Sequence, residues 1–242
     1  MSRIAQLVID PDIRRASTIP SWVYADPEVL AASRERVFHR SWQLVADTDR
    51  VKVPGQVHPF PLLEGLLDQP LLLPRDRSDR LHCLSNVCTH RGNLVVESEG
   101  VERGLRCRYH GRRFALDGRF EAMPEFEEVA NFPSDADHLP RVPFGAWEKF
   151  LFASVRPEHP LDALIAEMRA RVAWLPVRDA VFDSSRSRDY LVQANWALYC
   201  DNYLEGFHIP WVHASLNAAI DLETYTTEIH PLSSVQIAEI VS

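Results

Sequence analysis

Two short loops of similar composition set the strongest constraint on how this chain of 242 residues can fold. The first, CTHRG, begins at Cys88, and the second, CRYHG, begins at Cys107. Each loop offers one thiolate and one imidazole and ends in glycine, which permits the positive φ of a tight turn. There are 16 residues between His90 and Cys107. They include the polar segment ESEGVERG, which is expected to form a turn that brings the two loops together. The spacing predicts one centre with donors from Cys88, His90, Cys107 and His110.

Two kinds of metal centre use two cysteines and two histidines. A structural zinc site holds one ion in a tetrahedron of ligands. In a Rieske [2Fe–2S] cluster, by contrast, both cysteines bind one iron and both histidines bind the other. Zinc fingers usually pair like ligands in each half of the site. The mixed halves seen here, Cys-x-His and Cys-x2-His, favour the Rieske cluster, and zinc is the alternative.

A second candidate metal site lies in DNYLEGFHIPWVH, residues 201–213. On an ideal helix, two residues five positions apart point about 140° apart, too far round to share one metal. Pro210 cannot donate a backbone hydrogen bond, so we expect the helix to kink or end near Gly206–Pro210. Such a break would bring His213 beside His208. Two imidazoles suit iron, and a carboxylate from elsewhere would complete a facial triad with open positions.

The carboxylate of this triad is not evident in the sequence. Asp221 and Glu223 are nearby acids, but they lie in ordinary loop context, LNAAIDLETY, and match no ligand motif. We therefore expect neither of them to be the third ligand.

Together these motifs resemble the Rieske non-haem iron oxygenases, the ring-hydroxylating dioxygenase α-subunit family. The resemblance runs from SWVYADPEVL through FHRSW and both cysteine–histidine loops to residues 201–213. It implies that Cys88 and Cys107 bind the buried iron of a [2Fe–2S] cluster, and that His90 and His110 bind the exposed iron.

The same resemblance implies roles for the second site. It assigns His208 and His213 to a mononuclear Fe(II). It assigns Glu205, with Asn202 nearby, to a hydrogen-bonded bridge for electrons between a Rieske histidine of one subunit and an iron-binding histidine of its neighbour. The family takes its third iron ligand from a late helix, and residues 156–242 are too few for the family's complete catalytic domain. The resemblance therefore implies a fragment or a shortened member.

The second loop departs from the family pattern at two positions. The family usually reads Cys-Pro-Tyr-His-Gly-Trp, whereas this chain has Arg108 in the proline place and Arg112 in the tryptophan place. Two cations beside a cluster would favour its reduced form and raise its reduction potential. The alternative is that both guanidiniums point to solvent.

The predicted fold class is α+β: an antiparallel β Rieske domain followed by the N-terminal part of an α+β, helix-grip-like catalytic domain. We expect an N-terminal helical segment at 1–41 packing on the catalytic domain, the Rieske domain at 42–155 and the partial catalytic domain at 156–242. Helical patterns occur in ADPEVLAASRERVFHRSW, HPLDALIAEMRARVAWLP and NWALYCDNYLEGFH. Strand patterns occur in DYLVQA and TYTTEIHPLSSVQIAEIV, and Asp117-Gly118 marks a hairpin.

Composition excludes some classes of partner. The net charge is −8 and no basic run of the kind that binds nucleic acid is present. No apolar run approaches the length of a membrane span, and no leader pattern begins the chain. We therefore expect a cytoplasmic protein without a membrane partner. The remaining thiols, Cys83 and Cys200, lack matching histidines and are expected to be buried.

The resemblance implies the terminal component of an oxygenase. It would take electrons from a separate reductase or ferredoxin, because the chain has no GxGxxG fingerprint for a nucleotide of its own. With O2 it would oxidise a small organic substrate. The tail resembles the choline monooxygenase-like branch, which implies a quaternary amine, with an aromatic compound as the alternative. A homotrimer is also implied. The competing hypotheses are a Rieske electron-transfer protein with a non-catalytic second domain, and a zinc-binding interaction module.

Overall fold

The computed structural model describes residues 3–241, which form two compact units. One unit, here called the β unit, is Arg34–Ser184. The other, here called the terminal unit, joins the parts of the chain that precede and follow the β unit.

The β unit consists mainly of short antiparallel strands. A four-stranded sheet has the order β4-β3-β2-β5, and two three-stranded sheets have the orders β1-β10-β9 and β6-β7-β8. The predicted antiparallel β domain is therefore confirmed. The strands are β1 Gln43–Asp47, β2 Gln56–Leu62, β3 Gln69–Pro74, β4 Leu84–Ser85, β5 Gly100–Val101, β6 Leu105–Arg106, β7 Arg113–Phe114, β8 Phe120–Ala122, β9 Phe144–Trp147 and β10 Phe150–Ala153.

One of the two apolar clusters of the β unit lies directly behind the cysteine–histidine loops. It contains both loop cysteines together with Leu72, Leu84, Leu105 and Phe114, each of which is at most 1% exposed. Burying one such side chain contributes about 1.5–3 kcal/mol. The strands that flank the loops are thus fixed by packing, and the cysteines belong to the same core.

A tight hairpin joins β7 to β8, as Asp117-Gly118 predicted. Gly118 has φ +87°, and a Cβ built there would lie 3.0 Å from Leu84 Cδ2 and 3.3 Å from the carbonyl oxygen of Leu139. Glycine is therefore required both by the backbone conformation and by the close approach of the core.

Helix α2, Leu161–Val172, belongs to the β unit. Its first residue packs against β9, because a Cβ on Gly145 would lie 2.6 Å from Leu161 Cδ2. The preceding segment is tied to the same unit: Arg156 N–H donates to His39 O at 2.9 Å, and Glu158 N–H donates to Arg40 O at 3.0 Å. The helix was predicted, whereas the domain division at 155/156 stays a prediction.

The terminal unit contains helix α1, Pro27–Ser33, followed later in the chain by α3, Trp196–Leu204, α4, Ile209–Val212, and α5, Ala214–Ala219. After α5, the chain forms an antiparallel hairpin of two strands, β11, Ile220–His230, and β12, Ser233–Ile240. The side chain of Asn195 caps α3 by accepting from Ala197 N–H at 2.9 Å, and it donates to Tyr24 O at 2.9 Å. Helix α1 was predicted, and of the one or two strands expected in TYTTEIHPLSSVQIAEIV the structure forms two.

Two expectations from the sequence are wrong. DYLVQA, residues 189–194, contains no strand; Tyr190 is 83% exposed and Leu191 is 94% exposed, so its apolar side chains have no core to cover. Cys200 is also exposed rather than buried. Cys83 is buried as expected, and burial raises the pKa of its thiol to about 12.

Candidate metal centres

The two cysteine–histidine loops are built on the same backbone hydrogen bonds. In the first, the N–H of Cys88 donates to Asn93 O at 2.8 Å, and the N–H of Gly92 donates back to Cys88 O at 3.0 Å. The second loop repeats both bonds at 2.9 and 3.0 Å, from Cys107 and Gly111. The two glycines have φ of +73° and +74°. Although the histidines sit at different offsets, the loops therefore present their side chains from equivalent turns.

The structure brings the four predicted ligands together, with sulfur inside and nitrogen outside. Cys88 is 3% exposed and Cys107 is 2% exposed, and their thiols are within hydrogen-bond contact. The rings of His90 and His110 lie 4.8 Å apart between centroids, His90 partly buried and His110 exposed. This arrangement shields the two sulfurs and leaves the imidazoles at the surface.

The protonation of these side chains follows from their surroundings. Burial raises the pKa of the Cys88 thiol, as does the neighbouring Cys107. Burial lowers the pKa of His90, and the nearby charges of His110, Arg91 and Arg112 act in the same direction. A neutral imidazole is the form that binds metal. A buried thiol of raised pKa still serves as a ligand, because a bound metal cation deprotonates it.

The placement of the donor atoms separates the two kinds of centre. In a tetrahedral zinc site of sulfur and nitrogen ligands, neighbouring donors lie roughly 3.3–3.8 Å apart, given the usual zinc–ligand distances. Among the described residues, no three donors of these loops lie within 4.8 Å of one another. Two sulfurs at one side and two nitrogens at the other are the donor set of a two-iron group. The four residues therefore fit a Rieske cluster better than zinc.

The two unusual arginines of the second loop have different surroundings. Arg108 is exposed, with Nη1 3.9 Å from a carboxylate oxygen of Glu97. Arg112 is buried, with its side chain 3% exposed, and its Nη2 lies 2.5 Å from Oδ1 of Asp137. The solvent-facing alternative thus holds for Arg108 and is wrong for Arg112.

The second candidate site forms where α3 ends. The helix stops at Leu204, and Glu205 is extended, with φ −113° and ψ 151°. Pro210 then lies in the first turn of α4, where a missing N–H costs no intrahelical bond. The predicted break is confirmed, but its cause differs: Pro210 starts a new helix instead of kinking the old one. His208 and His213 flank α4, and their ring centroids lie 5.0 Å apart.

Glu205 orients one of these imidazoles. Its Oε1 is hydrogen-bonded to Nδ1 of His208, and its Oε2 accepts from Phe207 N–H at 2.5 Å. The bond to His208 is the main reason that the pKa of Glu205 is lowered. A carboxylate on one ring nitrogen fixes the tautomer of a metal-binding histidine. Nε2 of His208 is therefore the nitrogen free to bind a metal.

All the site residues predicted around the histidine pair line one cavity of about 440 Å³ within the terminal unit. They are Asn202, Glu205, His208 and His213. Asp221 and Glu223 are not among the lining residues; both lie in strand β11 rather than in the expected loop, and Asp221 Oδ1 accepts from Glu223 N–H at 2.9 Å. Of the described lining residues, only Glu205 carries a carboxylate, and that group is engaged with His208.

Two of the lining residues with polar side chains, Tyr225 and Gln236, were not predicted. Tyr225 packs against Gly206, where a Cβ would lie 2.9 Å from its ring. Gln236 lines the cavity from β12, and its Nε2 is buried without a partner among the described residues. Neither has a motif of its own, because each reaches the cavity through the pairing of β11 with β12. The only signal in the sequence was Gly206, two residues before His208.

Comparison with known protein families matches two segments of the chain. A model of the Rieske [2Fe-2S] domain matches residues 41–133. A model of the ring hydroxylating alpha subunit (catalytic domain) matches residues 173–237. The chain belongs to the Rieske oxygenase family.

Curated relatives of this Rieske oxygenase-family chain include monooxygenases of quaternary amines. It is 31% identical to a chloroplastic choline monooxygenase of Arabidopsis thaliana over 98% of its length, and 28% identical to the carnitine monooxygenase oxygenase subunit of Escherichia coli over 90%. In each case it spans 58% of the relative.

Solved structures of the Rieske oxygenase family share the fold. The quaternary ammonium Rieske monooxygenase CntA in complex with L-carnitine matches with a TM-score of 0.78 at 21% identity, covering 92% of this chain and 63% of that one. Naphthalene 1,2-dioxygenase from Rhodococcus matches with a TM-score of 0.68 at 23% identity, covering 82% of this chain and 46% of that one.

Within residues 3–241, no helix is long and apolar enough to span a membrane.

Proposed function

We propose that this chain acts in the terminal oxygenase component of a Rieske non-haem iron system. The main supporting observation is that the chain contains two sets of metal-binding side chains, one in each compact unit. The β unit has Cys88, His90, Cys107 and His110, and the terminal unit has the pair His208 and His213. When bound, a Rieske cluster supplies single electrons and a mononuclear Fe(II) supplies the position where O2 reacts.

The proposed ligand roles follow from the chemistry of each side chain. Cys88 and Cys107 bind one iron of the cluster and His90 and His110 bind the other. His208 and His213 bind the mononuclear iron. The third ligand of that ion is a carboxylate outside the described lining of the cavity.

Glu205 has the proposed role of an electron bridge. Its Oε1 holds Nδ1 of His208, a proposed iron ligand, and its Oε2 accepts from Phe207 N–H. Because a carboxylate oxygen can accept a second hydrogen bond, Oε2 can also accept from a donor of another subunit. Asn202, which lines the same cavity, is proposed to assist in the reaction.

The proposed substrate carries a quaternary ammonium group. Choline and carnitine monooxygenases are among the relatives. Tyr203 and Tyr225 are among the residues that line the cavity, and aromatic rings attract such cations. An aromatic substrate is the second candidate, because 2-halobenzoate 1,2-dioxygenase is also a relative, at 24% identity.

The proposed partners are O2 and a reductase or ferredoxin that donates electrons. A homotrimer is also proposed, in which Glu205 of one subunit meets a Rieske histidine of the next; the structure of the relative CntA is described as revealing inter-subunit electron transfer. We further propose a cytoplasmic location, because the four cysteines are free, as is usual in a reducing compartment. We also propose the domain division at residues 41/42 and 155/156.

Iron content tests the proposal. The chain, loaded anaerobically with iron and sulfide, is expected to hold three irons, two in a cluster with the Rieske absorption and electron paramagnetic resonance signals. His208→Ala should lose one iron and leave both signals intact, with Cys83→Ala as a control outside both sites. A colourless protein that binds zinc, or a cluster that survives Cys107→Ala, would contradict the assignment.

The second candidate function is electron transfer without oxygenation. It is favoured by the one observation that the described cavity lining has no free carboxylate to complete a triad. Two irons per chain, together with no substrate-dependent O2 uptake when a reductase is supplied, would support this function instead.

A further inference from the structure

Arg112 is a buried cation next to the proposed cluster loops. Its Nη2 donates to Oδ1 of Asp137 at 2.5 Å and to Asp137 O at 3.1 Å, and its Nη1 lies 3.9 Å from Met123 Sδ. Its Nε lacks a partner among the described residues. The guanidinium also lies 4.9–5.7 Å from the ring centroids of Phe114, Phe120 and Phe132. The charge is thus held in an apolar, aromatic setting.

Asp137 connects both cluster loops. Its carbonyl oxygen accepts from Thr89 Oγ1 at 2.8 Å, and Thr89 belongs to the first loop. Arg112 directly follows the second loop, and its own carbonyl oxygen accepts from Cys107 N–H. The carboxylate of Asp137 is itself held by Ser134, whose N–H and Oγ lie 2.7 and 3.0 Å from Oδ2. One ion pair therefore fixes the two loops relative to each other.

The charge of Arg112 is buried close to the proposed ligands, since its side chain is 3% exposed and its own carbonyl oxygen accepts from Cys107 N–H at 2.9 Å. A buried charge is screened less than a surface charge, so its field reaches neighbouring groups more strongly.

We propose that the buried Arg112–Asp137 pair tunes the reduction potential of the Rieske cluster and positions its two loops. This inference rests on the proposed function, because it requires the cluster. Reduction adds one negative charge to the cluster, so the cation of Arg112 favours the reduced form and the anion of Asp137 disfavours it. Arg112 dominates, since its backbone is hydrogen-bonded directly to the ligand Cys107, whereas Asp137 meets the first loop only through Thr89. The pair as a whole therefore raises the potential.

A redox titration of the iron-loaded chain, followed by its visible spectrum, tests the sign of each charge. Arg112→Gln should lower the midpoint potential, and Asp137→Asn should raise it, because each removes one charge. The double variant should lie between the two single variants. Arg108→Gln is the matched control: it removes the same charge from the same loop at an exposed position, where solvent screens it, and should leave the midpoint almost unchanged.

The two single variants distinguish tuning from a merely structural role. Loosening of the loops would shift both midpoints in the same direction, and that result, or two unchanged midpoints, would overturn the proposal. If Arg112→Gln fails to hold a cluster, the nearly isosteric Asp137→Asn decides alone, since only a raised midpoint supports the proposal. A wild-type chain without a Rieske spectrum would overturn the proposed function and this inference together.

Discussion

At the scale of single residues, the hydrogen bond between Glu205 and His208 depends on the end of helix α3. Glu205 lies where α3 has ended, in extended conformation, so its carboxylate can turn towards His208 and also accept the N–H of Phe207. In a continued helix the N–H of Phe207 would have donated to a backbone carbonyl oxygen instead. The orientation of the first histidine therefore depends on the end of the helix.

Replacing Glu205 by glutamine is expected to weaken iron binding at the histidine pair. The amide keeps the size of the side chain but loses the charge that orients His208, and loss of such a partner costs about 10–100-fold in metal affinity. Anaerobic Fe(II) titration against a coloured chelator measures the change. Glu223→Gln, which removes an acid that does not line the cavity, is the control. Equal affinities in the two variants would rule out the orienting role.

Asp76 is expected to make the stability of the β unit depend on pH. Burial alone would raise its pKa, but hydrogen bonds from His82 and from the backbones of Arg80 and Ser78 outweigh burial and lower the pKa to about 2. The unfolded chain titrates near an ordinary aspartate, at about pH 4. The stabilisation is therefore complete above about pH 4 and is lost as the pH falls towards 2, by roughly 2 kcal/mol.

Urea unfolding of the β unit between about pH 5 and pH 2 measures this dependence. Asp76→Asn is the control, since it cannot titrate and should have a flatter profile by the same amount. Parallel profiles for the two proteins would show that the side chain is not stabilised in its charged form.

At the scale of elements, the β7–β8 hairpin fixes the strand that follows the second cluster loop. Gly118→Ala is expected to cost on the order of 1–3 kcal/mol of unfolding free energy, because alanine would have to adopt φ +87° and approach Leu84 closely. Thermal or denaturant unfolding gives the value. Gly100→Ala, on β5 with open space around it, is the matched control and should cost much less. Similar losses in both variants would contradict this packing.

Local patterns were sufficient for those elements whose cause is local. The hairpin at Asp117, helix α2 and the interruption before His208 each depend on a turn residue, an apolar stripe or a helix end, and these are visible in the sequence. Features that depend on distant packing were not visible. The apolar run at Tyr190 predicted a strand that has no partner, and the burial of Arg112 depends on Asp137, which is 25 residues away.

At the scale of the whole molecule, the chain contains two donor sets of different chemistry in two compact units. The β unit offers two buried sulfurs continuous with an apolar core. The terminal unit offers two imidazoles at the wall of a cavity, of which His213 is exposed. Iron should therefore be held more firmly in the first unit than in the second.

Dialysis of the iron-loaded chain against a ferrous chelator is expected to remove the mononuclear iron first. The Rieske absorption should persist, because Cys88 and Cys107 are at most 3% exposed and a chelator cannot reach their sulfurs directly. Hydrogen exchange measured by mass spectrometry should then show faster exchange around α4 and unchanged exchange in residues 88–112. Cys107→Ala should reverse this pattern, with fast exchange confined to the cluster loops. Simultaneous loss of both metals, or faster exchange in both units at once, would show that the two centres are not independent.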